Sequence, residues 1–237
     1  IFPIAGLAMA LPHPRRWRFA MLFTVVMLLV LALPLLVVPP HQVHQQYASW
    51  LAMLPRDAVS DTAAGSGMHT GGVPEQLHLW LGLQAAPWVT ELVGGVLLVL
   101  PLVARPARWR DADFRLRFLC SLLVFLVIFN HRSESPSFVI AVAGIAIWFA
   151  ISTHDIVTVT LMAATFVIVS LGASSAVPNA VRVGLVMHFR LKTIPCVAAW
   201  IVMQLELWGV RRVAPPLLSV PSGPSAAPRA TKSLRDR

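Results

Sequence analysis

The chain has 237 residues, 57% hydrophobic and 12% charged, with a formal net charge of +9 and a mean hydropathy of +0.73. A soluble domain carries about 25% charged residues, so the composition excludes an ordinary water-soluble domain. Its apolar runs are continuous, not the alternating segments of about ten residues that mark a transmembrane β-barrel. The fold class expected is therefore all-α, a polytopic transmembrane helical bundle. The positive charge collects at the ends of apolar runs, where it orients helices and meets anionic headgroups, and it does not point to nucleic acid.

Seven membrane segments follow in chain order. Residues 1–11 make half a span, read as the end of a helix that begins upstream. They lack the charged, apolar and small-residue regions of a signal peptide, and the expectation is the C-terminal part of a longer protein. Residues 19–38 form the second segment and 87–104 the third. The fourth and fifth, 116–131 and 137–151, flank a polar stretch. Residues 156–177 and 193–208 complete the set. Residues 1–213 are expected as one transmembrane domain, and 214–237, rich in proline and basic residues, as a disordered cytoplasmic tail.

Alternating sides divides the 19 basic residues 14 to 5. The larger set includes Arg15, Arg16, Arg18, Arg105 and Arg117, with Arg211 and the tail, and the positive-inside rule assigns it to the cytoplasm. The smaller set is Arg56, Arg132, Arg182, Arg190 and Lys192. The long segment 40–86 then lies outside. Residues 46–54 and 75–83 read as short amphipathic helices at the interface, with Trp50 and Trp80 at headgroup level. Gly65, Gly67, Gly71 and Gly72 break the chain between them.

The most informative stretch is Asn130-His131-Arg132-Ser133-Glu134-Ser135-Pro136-Ser137. The apolar run 118–129 before it rises only about 18 Å as a helix, against a hydrocarbon layer of about 30 Å. Polar backbone at such depth survives only inside protein or against a wet cavity. Two readings stand. In one, this is a plain helix hairpin with Asn130 and Ser135 as caps and Arg132–Glu134 as a solvated pair. In the other, it is a site. There the Arg132 guanidinium binds an anionic group such as a lipid phosphate. Glu134 and His131 then bond sugar hydroxyls, and Pro136 stiffens the turn at Ser135.

A second cluster, Arg182, His188, Arg190 and Lys192, breaks the charge rule on the same side. It is either a belt of snorkelling cations or a seat for a phosphate or pyrophosphate. No metal site is expected, because His41 and His44 supply only two ligands at i, i+3. Cys120 and Cys196 lie in apolar runs and suggest no disulfide framework. Asp57 and Asp61 read as solvated carboxylates. Glu91 and Glu206 fall near span ends, where hydration reduces their cost, and no ionisable residue falls mid-span as ion-coupled transport would require. Asp155 is expected to cap a helix starting at Ile156.

The order of these pieces resembles the C-terminal half of bacterial glycosyltransferase family 87, polytopic enzymes of the GT-C type. The resembling residues are Ile1-Phe2-Pro3, Arg15-Arg16-Trp17-Arg18, the exit Leu35-Leu36-Val37-Val38-Pro39-Pro40, Gln46-Tyr47-Ala48-Ser49-Trp50 and Leu77-His78-Leu79-Trp80-Leu81-Gly82-Leu83. The most specific stretch is Phe129 to Phe138 with its Ser-Glu-Ser-Pro block, followed by Leu191-Lys192-Thr193-Ile194-Pro195-Cys196. The resemblance covers most of residues 1–210. It implies transfer of a hexose, often mannose, from a polyprenyl-phosphate carrier to a glycan or glycolipid acceptor at the outer face of the plasma membrane.

In GT-C enzymes the catalytic carboxylate generally lies in the first extracytoplasmic loop, so it is expected upstream of this chain and no residue here inherits that role. The candidate substrate-binding residues are His131, Arg132, Glu134, Ser135, Arg182, Arg190 and Lys192. The implied partners are a lipid-linked sugar donor, acting as co-substrate, and membrane lipid. No cofactor is implied. A lipid or sugar transporter or flippase, and a non-enzymatic membrane assembly protein, are the alternative functions.

Overall fold

The computed structural model describes residues 6, 9–13, 15–62, 72–83, 86–130, 133, 135–172, 177–181 and 191–211. Among these the ordered elements are helices, without a strand, as the composition predicts. The first is α1, Arg16–Ala32. A 3₁₀ turn, Leu33–Leu36, extends it. Together they give 21 residues of mean hydropathy 2.8, long and apolar enough to cross a bilayer. None of α1 is buried. Leu22, Leu28 and Leu29 are exposed on an all-round apolar surface suited to lipid.

Pro34 has no N–H and ends α1. The freed carbonyl of Leu31 accepts a 2.7 Å hydrogen bond from the Tyr47 hydroxyl, which fastens the next helix to the end of this one. That helix, α2, runs Pro40–Thr62, longer than the expected 46–54. After it comes α3, Val73–Leu81, closed by left-handed Gly82 at φ 65°. Residues 63–71, the glycine-rich break, lie outside the described residues.

Five further helices form the packed part of the chain. They are α4 (Pro87–Ala104), α5 (Ala112–Ile128), α6 (Phe138–Ile151), α7 (Ile156–Thr165) and α8 (Thr193–Leu207). A π-helical segment, Phe166–Leu171, continues α7. The sequence boundaries hold closely. Residues 87–104 match to the residue; α5 begins four residues before 116 and ends three before 131, the α7 run stops at Leu171, short of 177, and most of the expected segment 1–11 lies outside the described residues. Asp111 caps α5 by accepting from the Asp113 N–H at 3.0 Å. Asp155 caps α7 as expected, accepting from the Thr158 N–H at 2.9 Å.

The core centres on α5, whose Phe118, Cys120, Val124 and Ile128 are buried on several sides. The α5–α6 hairpin is its tightest pairing. A Cβ at Gly144 would sit 2.9 Å from the Cys120 carbonyl oxygen and 3.0 Å from Leu123 Cβ. Small residues of this kind let helix backbones approach where lipid supplies no hydrophobic drive.

At one end of the bundle a buried polar network joins α5, α6 and α8. Arg117 donates to Asp113 at 2.9 Å, Glu206 at 2.7 Å, Ser152 at 3.1 Å and the Ile151 carbonyl at 2.7 Å. Trp148 Nε1 donates to the same Glu206 oxygen at 2.8 Å. This differs from the sequence expectation, in which Arg117 counted as a loop charge and Glu206 as a hydrated one. Both are only 2% exposed, and mutual neutralisation replaces hydration. Arg211, on the segment leaving α8, pairs with Asp155 at 2.5 Å. Arg105 lies against Gly209. Arg105, Arg117 and Arg211, three of the basic residues predicted to share one side, therefore converge at one end.

Candidate functional site

The opposite end of the bundle is where α5 stops and the polar stretch begins. Phe129 follows the last turn of α5 and lays its ring directly on Gly94 of α4, where no Cβ would fit. The same ring meets Trp200 of α8 edge-on, with centroids 5.1 Å apart and planes at 65°, and Phe125 at 5.2 Å. Because α8 runs antiparallel to α5, its N-terminal end lies at this Asn130 end.

Between α4 and the end of α5 runs a groove of about 430 Å³, within the roughly 300–1,000 Å³ range of small-molecule sites. It is lined by Trp88, Glu91, Leu92, Phe125, Leu126, Phe129 and Asn130. Trp88 and Glu91 are three residues apart and share a face of α4, while Phe125 and Phe129 are four apart on α5. Trp88 and Leu92 are also exposed on the outer surface of the apolar α4, so the groove opens sideways. Among the described lining residues the polar side-chain groups are the Glu91 carboxylate, the Asn130 amide and the Trp88 indole N–H.

The start of the polar stretch folds back on α5. The Ser133 N–H donates to the Asn130 carbonyl at 3.2 Å, and its hydroxyl donates to the Val127 carbonyl, which the helix end would otherwise leave unpaired. Ser133 is fully buried. Gly72, just before α3, packs over this end: a Cβ there would stand 3.0 Å from both the Asn130 and Ile128 carbonyl oxygens. In turn α3 touches α4 and α8. The start of the polar stretch is thus enclosed by protein where the chain before α3 covers it.

Of the candidate residues, Ser135 opens a 3₁₀ turn, Ser135–Ser137, that leads into α6. Lys192 immediately precedes α8 at the same end, half-buried; burial pushes its ammonium below the usual lysine range. His131, Arg132, Glu134, Arg182 and Arg190 lie outside the described residues, as do His188 and the tail from residue 212. Sequence reasoning did not single out Trp88, Glu91 or Asn130 as one surface. The available signal was an i, i+3 Trp–Glu pair on an otherwise apolar helix, which needs a facing partner before it has meaning. Among the described residues no three His, Cys, Asp or Glu side chains gather as a metal site.

An all-helical bundle with a lipid-facing span and a charge-locked end is a membrane protein, and its groove is the candidate for a small-ligand site. The family model for Glycosyltransferase family 87 matches residues 1–129, more than half of the chain, and the chain belongs to that family. It is thus a membrane glycosyltransferase, served by a sugar donor and an acceptor. The match takes in α1 to α5 and most of the groove, and it ends at Phe129, one residue before the polar stretch. No curated protein and no solved structure matches the chain.

Proposed function

We propose that the protein transfers a hexose, mannose in the first instance, from a polyprenyl-phosphate donor to a glycan or glycolipid acceptor at the extracytoplasmic face of a bacterial plasma membrane. The observation that supports this most is polarity of the bundle. Arg105, Arg117 and Arg211 gather at one end, and the groove with Glu91 and Asn130 occupies the other. With the arginine-rich end inside, the groove faces outward, where lipid-linked sugars are used.

In this reading Arg132 takes the carrier phosphate through its guanidinium fork, with Arg182, Arg190 and Lys192 in support. The lowered proton affinity of half-buried Lys192 is offset when an anion arrives, since an opposite charge favours the ammonium. Glu134 and His131 bond the sugar hydroxyls, beside the turn at Ser135. As the bond from the anomeric carbon to the phosphate oxygen breaks, positive charge develops on the sugar, as in glycoside hydrolysis, and the cations stabilise the departing phosphate. The proton of the attacking hydroxyl goes to a base that is not assigned to any residue of this chain.

The test is sugar transfer from polyprenyl-phosphate hexose in membranes carrying Arg132→Ala or Glu134→Ala, with protein level measured in parallel. Removing a preorganised charge partner typically costs about 10²–10³ in rate, and that loss at unchanged protein level is the expected result. Full activity in both variants overturns the assignment.

A further inference from the structure

The turn that joins α4 to α5 carries more cations than it neutralises. Arg105 closes α4, and the 3₁₀ turn after it, Pro106–Arg110, adds Arg108 and Arg110. Five residues at about 2 Å each span roughly 10 Å, so the three guanidinium groups share one patch. The acids beside them are engaged elsewhere. Asp111 caps α5 and stands 3.6 Å from Arg108 Nη2, a long contact between half-exposed side chains that is worth little. Asp113 is taken by buried Arg117. Among the described residues, Arg105 and Arg110 have neither a hydrogen-bonded nor an ion-paired partner.

The patch is held in a fixed shape. The Arg108 N–H donates to the Arg105 carbonyl and the Asp111 N–H to the Arg108 carbonyl, each at 3.0 Å. Trp109 turns back on α4, its Nε1 donating to the Leu102 carbonyl at 2.8 Å, and Arg115 donates to the Trp109 carbonyl at 2.9 Å. The Arg105 guanidinium rests on Gly209, where no side chain would fit. On α4, Leu92, Val96, Leu100 and Val103 follow at spacings of three or four and are all exposed. They form an apolar stripe of roughly 16 Å that leads to Arg105.

We propose that the α4–α5 turn binds an anionic phospholipid, whose phosphate meets Arg105, Arg108 and Arg110 while its acyl chains lie along the exposed stripe of α4. The guanidinium fork suits phosphate oxygens. A zwitterionic headgroup brings its own cation into the patch and is disfavoured there, and a free phosphate gains nothing from the apolar stripe. The site lies at the opposite end from the groove and does not depend on the transferase reading. Because Arg105 ties the end of α4 to the chain leaving α8, the bound lipid braces both and stabilises the fold by mass action.

The experiment uses the full chain in a neutral detergent, titrated with phosphatidylglycerol, phosphatidylcholine and inorganic phosphate. Bound lipid is counted by native mass spectrometry, and the thermal midpoint is followed in parallel. Wild-type protein should retain phosphatidylglycerol in preference to phosphatidylcholine and melt at a higher temperature with it. A basic residue at a lipid surface is worth about fivefold in affinity. Arg108→Gln combined with Arg110→Gln should therefore weaken phosphatidylglycerol about 25-fold and remove the preference. Arg108→Lys with Arg110→Lys should lose far less, because the charge stays. Arg16→Gln with Arg18→Gln removes two exposed cations where α1 begins, and should leave the binding unchanged.

Equal retention of the two lipids by wild-type protein overturns the inference, as does full retention by the Arg108→Gln, Arg110→Gln variant. An equal loss in the Arg16→Gln, Arg18→Gln variant also overturns it, since that pattern belongs to a diffuse belt of charge. Displacement of the lipid by inorganic phosphate at equal concentration overturns the assignment to a lipid.

Discussion

Arg117 and Glu206, 89 residues apart in the chain, meet at 2.7 Å as a buried ion pair that holds α5 to α8. Glu206 also receives the Trp148 indole N–H, so one carboxylate serves three helices. Removing one partner of a buried pair leaves an uncompensated charge and typically costs about 3–5 kcal/mol, whereas replacing both with apolar residues costs much less. Glu206→Ala should therefore lower the unfolding free energy in detergent by that order. Arg117→Met combined with Glu206→Met should recover most of the loss. A double variant as unstable as the single one would mean that the pair itself, and not the charge left behind, holds the helices.

Asp155 gives the fold a dependence on acid. The Arg211 guanidinium, then the Thr158 N–H and hydroxyl, hold its carboxyl well below the usual carboxylate range. A folded-state value below the unfolded one stabilises the fold above about pH 4, and the contribution fades as pH falls further. Thermal midpoints measured from pH 7 down to pH 3 should fall more steeply for the wild type than for Asp155→Asn. Parallel curves would show that the Asp155–Arg211 pair contributes nothing.

Two neighbouring glycines of α4 should behave differently. Gly94 carries the Phe129 ring, with no room for a methyl group, while a Cβ at Gly95 would meet nothing nearer than Phe125 Cζ at 3.9 Å. Gly94→Ala must displace Phe129 and reshape the groove, at a cost of about 1–3 kcal/mol. Gly95→Ala should be neutral or slightly stabilising, because alanine suits a helix better. Gly144→Ala should cost as much as Gly94→Ala, since its obstacle is the Cys120 backbone. Chemical denaturation of the three variants against wild type checks the order.

Sidedness is open to cysteine labelling with a membrane-impermeant maleimide. Cys120 and Cys196 are fully buried, so background reaction should be small. Thr153→Cys, exposed in the α6–α7 turn at the Arg117 end, should label only from the cytoplasmic side. Leu83→Cys, 53% exposed beyond α3, should label only from outside. The reverse pattern would invert the orientation and remove the support for an outward-facing groove.

The elements of this protein were legible in its sequence because local properties set them. Run length and hydropathy gave α4 to the residue and Asp155 announced the start of α7, whereas the stops at Pro34 and Gly82 fall inside segments that the sequence reading carried on to 38 and 83. The family was also legible, through short motifs within residues 1–129, the stretch that the family model matches; the Ser-Glu-Ser-Pro block and residues 191–196 lie beyond that match. The candidate site was legible only in part. Ser135 and Lys192 fall at the Asn130 end, and the remaining candidates lie outside the described residues.

Tertiary structure alone decided which distant residues share a surface. Hydropathy counts Arg117 as an end charge and Glu206 as a hydrated one, because a one-dimensional average has no way to represent two opposite charges cancelling inside a bundle. Glu91 likewise reads as an isolated acid until the antiparallel packing of α4 on α5 brings Phe125, Phe129 and Asn130 across from it. Helical periodicity fixes which face a residue occupies, but only the approach of the helices, permitted here by Gly94 under the Phe129 ring and by Gly144 against the Cys120 backbone, fixes what that face meets.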